Sequence, residues 1–323
     1  MCVVYKVRAS RRDALKLTAG AAMLGALGAA GAASASTRGF GEYRVTFEPV
    51  RAEDGRRLFA IRRFTFGGER LALTVEPTTL TTMIRSEAWL EADKRPWADQ
   101  SATPYLSALH SLTNQPSPTE NAGLRHARGA TDGYFLTVDM CPSRKAFESR
   151  FFASLAERAR GEGRAMPVAI SISGYWALQH QAEFTSLIER QRRGELDITW
   201  VNHSYSHRYV KGMPDAQNFL LMPHTDFESE VLRNEQLLIG HGLTPSVFFR
   251  FPGLVSDDYL LMELRRLSLL PLGADAWLAK GRNPKPGSIV LVHGNGNEPA
   301  GISDVRKYVA DPRVTWRGLN AAV

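Results

Sequence analysis

Apolar strands and amphipathic helices alternate in this chain from Gly133 to the C-terminus. Each predicted strand is a continuous apolar run, and the segments that follow the first four carry apolar residues at helical spacing. These strands are Tyr134–Val138, Pro167–Ile172, Ile198–Val201, Val247–Phe251 and Ser288–His293. Strands without polar alternation are buried on both faces, which is typical of a parallel sheet or barrel covered by helices. The chain is therefore predicted to have an α/β fold.

The part of the chain before Gly133 has a different pattern. Short β-like runs occupy residues 43–47, 58–61, 63–66 and 71–75. Residues 85–132 are polar and punctuated, with Trp89 and Trp97 as their main apolar anchors. We expect residues 36–132 to form a β-rich extension with a connector, and residues 133–323 to form the main domain. The connector could cover or extend a binding cleft, and the sequence does not distinguish the two.

Residues 1–35 resemble a twin-arginine export signal. Arg11 and Arg12 precede an apolar run over residues 17–33, and Ala33-Ser34-Ala35 supplies small residues for cleavage. This predicts a protein that is exported folded, acts in the periplasm or outside the cell, and has no stable membrane span after cleavage. An uncleaved anchor is the alternative, which the many small residues of the run disfavour. Cys2 would leave with the signal, so only Cys141 remains and no internal disulfide can form.

The charge of the chain gives no reason to expect a nucleic-acid partner. Its formal net charge is +7, but the leader accounts for +4 of this, which leaves about +3 for the remainder. Basic residues outside the leader are interspersed with acids, as on an ordinary solvated surface. The apolar fraction of 44% is that of a globular protein with a substantial core.

Polar side chains of chemical use follow several predicted strands. His203 and His207 come four residues apart after the strand Ile198–Val201. Imidazole is the commonest protein ligand for zinc, so this pair is a candidate metal site. Other strand ends carry Asp139, Arg250, Asp275 and His293. Because the carboxyl ends of parallel strands face the same side, we expect all of these residues to meet there.

The same residues carry a resemblance to a known family. Residues 134–296 resemble the polysaccharide deacetylase domain of carbohydrate esterase family 4. The five motifs of that family are matched in order by Thr137-Val-Asp-Met-Cys-Pro142, His203-Ser-Tyr-Ser-His207, Arg250-Phe-Pro-Gly253, Asp275-Ala-Trp277 and Leu291-Val-His293. The resemblance implies the distorted (β/α) barrel of the polysaccharide deacetylase type.

The resemblance also implies a role for each matched residue. Asp139 would be the general base, and Arg250 would orient it. His293 would be the general acid, supported by Asp275 and Trp277. His203 and His207 would hold a divalent metal, with zinc as the default and cobalt, nickel or manganese as alternatives. Such an ion lowers the pKa of a bound water and polarises an amide carbonyl. Asn202 and Trp277 are further candidates for sugar contacts.

The first motif departs from the family at one position. Met140 stands where the family has its metal-binding Asp, and a thioether is a poor ligand for zinc. Asp139 could shift to the metal, Cys141 could supply a thiolate, or the site could use two histidines and water. Cys141 is also explained as a small buried residue, or as the nucleophile of a cysteine hydrolase.

These observations predict a metal-dependent hydrolase of a non-peptide carbon–nitrogen bond. The expected substrate is the N-acetylated sugar of a cell-wall or extracellular polysaccharide. A carbohydrate-binding relative that has lost its activity is the alternative that Met140 favours. A hydrolase of a small non-sugar amide is another, since fold does not determine substrate. The oligomeric state is open.

Overall fold

A computed structural model describes residues 39–95, 101–114 and 119–323 of the chain. The predicted export signal, residues 1–35, and Trp97 lie outside the described residues. None of the helices within the described ranges is both long enough and apolar enough to cross a membrane.

The first part of the described chain forms a five-stranded sheet in the order β4-β3-β2-β1-β5. Its strands are β1 (Phe40–Ala52), β2 (Arg57–Phe66), β3 (Glu69–Val75), β4 (Thr82–Ser86) and β5 (Leu90–Ala92), and all paired neighbours are antiparallel. The two short runs predicted around Arg62 are a single strand, β2. Arg62 does not interrupt it because this side chain is buried and paired with Glu235.

The next elements are the helix α1 (Pro104–Leu112) and the short strand β6 (Thr119–Glu120), and then the alternating part begins. It consists of β7 (Phe135–Met140), α2 (Ser149–Glu162), β8 (Met166–Ile172), α3 (Gly174–Gln179), α4 (Gln181–Arg192), β9 (Leu196–Asn202), α5 (Phe227–Gly240), β10 (Phe248–Phe249), β11 (Val255–Ser256), α6 (Asp258–Arg266), β12 (Leu270–Pro271), β13 (Ala276–Trp277), β14 (Ile289–His293) and α7 (Pro299–Ala310). Short 3-10 helices lie at Glu87–Trp89, Asp215–Gln217, Phe219–Leu221, Pro252–Leu254, Leu278–Lys280 and Leu319–Ala322.

Seven of these strands form one parallel sheet in the order β12-β10-β9-β8-β7-β14-β13. The order follows the chain around a barrel, from β7 through β8, β9 and β10 to β12, and then from β13 and β14 back to β7. β12 and β13 do not pair with each other, so the barrel is open at one seam. The predicted α/β fold with a distorted (β/α) barrel and a β-rich extension is confirmed.

Part of the predicted connector fills this seam. The Leu124 amide donates to the Pro271 carbonyl on one side, and the Arg125 carbonyl accepts from the Asp275 and Ile289 amides on the other. Gly123 makes the close approach feasible: its φ is +92°, and a Cβ there would lie 2.0 Å from the Pro271 oxygen. The segment therefore completes the barrel wall rather than forming a loose link.

The β-rich extension packs at the amino ends of the barrel strands. Its apolar residues share a core with residues of the barrel interior, including Phe135, Leu270 and Ile289. The hydroxyl of Tyr105 in α1 donates to the Ser268 carbonyl, just before β12. The extension thus covers the amino end of the barrel. The catalytic residues are predicted at the other end, where the strands have their carboxyl ends.

Candidate active site

Strand β7 places two chemically useful side chains inside the barrel. Along this strand Leu136, Val138 and Met140 join the core beneath the helices. The alternate residues Asp139 and Cys141 face inward instead, where they contact Arg250 and His203. The Met140 thioether therefore packs in the core and is not in a ligand position. Cys141, one residue later and on the other face, takes the place beside the histidines.

His203 and His207 follow directly on β9. The Nδ1 of His203 lies 2.7 Å from the Arg250 carbonyl oxygen, which can only accept, so Nδ1 carries the proton. The Nε2 of His203 is then free to bind a metal, and it lies 3.5 Å from the Cys141 sulfur and 3.8 Å from Asp139 Oδ2. The Arg250 carbonyl thus holds the His203 imidazole in the orientation that a metal ligand needs.

Cys141, His203 and His207 form a cluster that fits a metal ion. One ligand atom from each lies within 4.8 Å of the others. The Nε2 of His207 is buried and has no hydrogen-bond partner in the described part of the chain. A buried nitrogen without a partner is rare in proteins, and an ion held by sulfur and two imidazoles would satisfy it.

The thiol of Cys141 has the electrostatic surroundings of a thiolate. Burial raises its pKa, but the interactions with His207 and His203 outweigh burial and leave that pKa well below its ordinary value. Thiolate is the form of cysteine that binds metals. Asp139 is close to the cluster but is engaged by Arg250.

The segment between the two histidines is held in a strained conformation. Ser204 and His207 have φ angles of 62° and 46°. The Ser204 amide donates to Asn202 Oδ1, and the Ser206 amide and hydroxyl donate to the Glu230 carboxylate at 2.8 and 2.6 Å. Strained backbone of this kind persists only where the surroundings hold it. Glu230, on α5, was not identified from the sequence.

Asn202 belongs to this support, and its predicted role as a sugar contact is wrong. It is 1% exposed. Its amide nitrogen donates to the Val231 carbonyl, and its oxygen accepts from the Ser204 amide and the Asn234 side chain. The side chain joins β9 to α5 and is buried away from any sugar-binding surface.

Asp139 and Arg250 form a buried ion pair beside the cluster. Arg250 Nη1 lies 2.9 Å from Asp139 Oδ1, and Arg250 is fully buried. The other guanidinium contacts are the Thr137 hydroxyl and the carbonyls of Leu272 and Gly273. Burial raises the pKa of Asp139, but the charges of Arg250, His203 and His293 outweigh it and leave that pKa below its ordinary value. The carboxylate is therefore ionised and able to accept a proton.

His293 ends β14 and pairs with an acid that the motifs did not identify. Its Nδ1 lies 2.8 Å from Glu298 Oε2, an ion-pair contact whose angles fall outside those of a hydrogen bond. The Trp277 indole donates to the same carboxylate, and its ring lies 6.1 Å from that of His293. Burial lowers the pKa of His293, but Cys141, Glu298 and Asp139 outweigh burial and hold it well above its ordinary value. These surroundings favour the protonated imidazole.

The structure corrects the prediction that Asp275 supports His293. Asp275 precedes β13, and its Oδ1 accepts from the amide of Ile289, the first residue of β14. Its Oδ2 contacts His126 and Ser288. His293 is at the opposite end of the same strand. The strand-end prediction was wrong because β12 ends at Pro271 and Asp275 lies just before the next strand, β13. Glu298, an acid in the loop after the last strand, was the signal that could have been used.

Six predicted residues therefore meet at the carboxyl ends of the barrel strands. They are Asp139, Cys141, His203, His207, Arg250 and His293, with Trp277 at the edge. The group combines a candidate metal cluster, an ionised carboxylate and a protonated imidazole. Such a set can activate water and protonate a leaving group.

No protein-family model matches the sequence. Among solved structures, a family 4 carbohydrate esterase from Bacillus anthracis is 15% identical and matches with a TM-score of 0.46, covering 62% of this chain and 86% of its own. The family 4 carbohydrate esterase PdaA from Bacillus subtilis is 14% identical, with a TM-score of 0.44 and coverage of 71% and 89%. A wild-type family 4 pseudoenzyme from Bacillus anthracis is 12% identical, with a TM-score of 0.41 and coverage of 62% and 68%.

Proposed function

We propose that the protein is an exported, metal-dependent hydrolase that removes acetyl groups from N-acetylated sugars of a cell-wall or extracellular polysaccharide. The observation that carries this proposal is the convergence of a Cys141–His203–His207 cluster with Asp139 and His293 at one end of the barrel. The motif resemblance supports an N-acetyl amide as the bond, whose hydrolysis would release acetate and a sugar amine.

Cys141, His203 and His207 would hold the ion, and zinc suits a thiolate with two imidazoles. When bound, a divalent metal polarises the amide carbonyl and lowers the pKa of water. Asp139, kept ionised by Arg250, accepts the proton that the attacking water loses. His293 donates its proton to the amine nitrogen as the carbon–nitrogen bond breaks. Glu298 and Trp277 keep that imidazole in place.

The position of Met140 bears on the alternative of an inactive carbohydrate-binding protein. That alternative depended on the loss of a metal-binding Asp at this position. Because Met140 lies in the core and Cys141 lies beside the histidines, the substitution is no argument against a metal.

Twin-arginine export, which carries folded proteins, would let the metal bind before the chain leaves the cytoplasm.

Metal content of the exported protein tests the proposal. We expect near-stoichiometric metal in the wild type, almost none in a His203→Ala/His207→Ala variant, and wild-type content in a His110→Ala/His224→Ala control. The wild type should release acetate from N-acetylglucosamine oligomers, and the first variant should not. Wild-type protein that stays metal-free after incubation with zinc would contradict the mechanism. Acetate release from small N-acetyl amides but not from sugars would identify a small-amide hydrolase instead.

A cysteine hydrolase is a second candidate, because Cys141 also interacts with His293, which in turn pairs with Glu298. In that reaction the thiolate would attack the carbonyl, and His293 would protonate the leaving amine. Water would then hydrolyse the acetyl thioester, which releases acetate and regenerates the thiolate.

Two substitutions of Cys141 distinguish the candidates. A carboxylate binds zinc, so Cys141→Asp should keep metal and measurable activity, whereas Cys141→Ala should lose at least about a hundredfold in kcat because the ion loses a ligand. If both variants lost all activity and chelators did not reduce the activity of the wild type, the thiolate nucleophile would be favoured.

A further inference from the structure

The segment that follows His207 presents an aromatic side chain to solvent next to the candidate site. Tyr209 is 58% exposed and Val210 is 42% exposed. The ring of Tyr209 lies 5.3 Å from that of Phe219, and the ring of Phe219 lies 5.8 Å from that of His207 at 90°. We name Tyr209, Phe219 and His207 the aromatic ladder. It runs from the candidate metal cluster to the surface.

The middle of the aromatic ladder is tightly confined. Phe219 is largely buried and has a φ of 54°, a conformation that bulky residues rarely adopt. Its ring lies against Gly253, where a Cβ would approach it to 2.4 Å. Gly253 belongs to the Arg250-Phe-Pro-Gly253 segment. Phe219 is thus held between two parts of the candidate site, and it supports the ring of Tyr209 from beneath.

The loop that carries Tyr209 is held by one buried side chain. Asn218 is fully buried. Its oxygen accepts from the amides of Val210 and Phe219, and its nitrogen donates to the carbonyls of Val210 and Met213. The exposed position of Tyr209 is therefore part of an ordered loop. A strained, hydrogen-bonded loop that holds an aromatic ring in water is typical of a ligand contact.

We propose that the exposed face of Tyr209 is a subsite that stacks on a pyranose ring of the polysaccharide, next to the sugar that loses its acetyl group. Stacking buries the apolar face of the tyrosine against the C–H face of a sugar. Arg208 and Lys211 are exposed in the same loop and can donate hydrogen bonds to sugar hydroxyls. The subsite rests on the proposed function for the identity of its ligand. It would make the enzyme prefer long chains over short ones.

Kinetics as a function of chain length test the subsite. In the full protein, Tyr209→Ala should lower kcat/KM about tenfold for the N-acetylglucosamine hexamer, mostly through KM, with a loss that grows from dimer to hexamer. Tyr209→Phe keeps the ring and should restore wild-type values. Tyr259→Ala is the matched control, since Tyr259 is 60% exposed and makes no ring contact within the described ranges; it should behave as wild type. Equal hexamer kinetics for Tyr209→Ala and wild type would overturn the subsite.

A binding measurement separates this inference from the proposed function. Cellohexaose has pyranose rings but no acetyl group, so its binding does not depend on hydrolysis. Titration calorimetry should show binding that Tyr209→Ala weakens about tenfold. Binding that depends on Tyr209 in a protein that releases no acetate would support the subsite and refute the deacetylase. Acetate release together with cellohexaose binding indifferent to Tyr209 would do the reverse. A dimer that Tyr209→Ala dissociates would assign the ring to a contact between copies and overturn the subsite.

Discussion

Both ends of the barrel contain buried polar side chains, but the two ends differ in whether these side chains have hydrogen-bond partners. At the amino end, Arg62 makes two hydrogen bonds to Glu235 and two to the carbonyls of Ile61 and Leu267. The Tyr43 hydroxyl donates to the same carboxylate. At the carboxyl end, the Nε2 of His207 has no hydrogen-bond partner among the described residues. The first network is complete among protein groups, whereas the second leaves a buried nitrogen that a ligand could satisfy, as expected of a candidate site.

The largest effect on stability should come from the complete network. Arg62→Met leaves the Glu235 carboxylate buried without its partner, so we expect the free energy of unfolding to fall by about 3–5 kcal/mol. Arg62→Met/Glu235→Leu removes both charges and should recover most of that loss. Urea denaturation of the metal-free protein measures both.

The matched change at the other end is His207→Ala, which should reduce the free energy of unfolding by only about 1 kcal/mol. An equal loss for His207→Ala and Arg62→Met would remove the distinction between the two ends.

An effect on metal affinity, smaller than that of Arg62→Met on stability, is expected where α5 supports the segment between the two histidines. Glu230→Gln keeps the size of the side chain but removes the charge that accepts from the amide and hydroxyl of Ser206. Residues that hold metal ligands in place typically contribute 10- to 100-fold in metal affinity, so zinc binding should weaken by about that factor. Competition with a chelator measures it.

Glu228→Gln is the control for this prediction, because Glu228 lies on the same helix and pairs with the exposed Arg266. It should bind zinc as the wild type does. Unchanged affinity in Glu230→Gln would mean that the backbone alone positions His207.

The smallest expected effect is a shift in pH dependence. His293 must be protonated to act as an acid, so activity falls as pH rises through its pKa, which stands well above the ordinary value. Asp139 must be ionised, and its pKa is lowered, so the acid side of the profile extends to low pH. Glu298→Gln removes a charge that raises the pKa of His293. The basic limb of kcat/KM should then move to lower pH while the acid limb stays in place.

Glu263→Gln, which changes an exposed ion pair with Arg266, should leave both limbs unchanged. A basic limb that stays in place in Glu298→Gln would show that Glu298 does not act on His293.

Much of the fold was predictable because the signals are local. Continuous apolar runs identified the longer parallel strands, and helical spacing identified the helices between them. The sequence was misleading where a contact with a distant segment determines the environment of a residue. The local sequence predicts two strands on either side of Arg62, because its partner, Glu235, lies 173 positions away and is not evident from the neighbouring residues. Asp275 is predicted to follow a strand, and the structure differs because β12 and β13 are only two residues long.

The candidate site was predictable in its residue types but not in its contacts. Polar side chains after the strands predicted Asp139, His203, Arg250 and His293, since parallel strands bring their carboxyl ends together. The alternative of Cys141 as a metal ligand was open in the sequence. The geometry favours it, because Cys141 and not Met140 lies within reach of the histidines.

The sequence by itself determined the alternation of the longer strands with helices and the end of the barrel where the reactive groups gather, since both follow from periodicity along the chain. Only the tertiary structure decided which acid holds His293, that Asn202 supports the loop, and that Tyr209 stands in solvent above Phe219. Those outcomes depend on distances and burial between segments far apart in the chain, and hydrophobic periodicity carries no information about either.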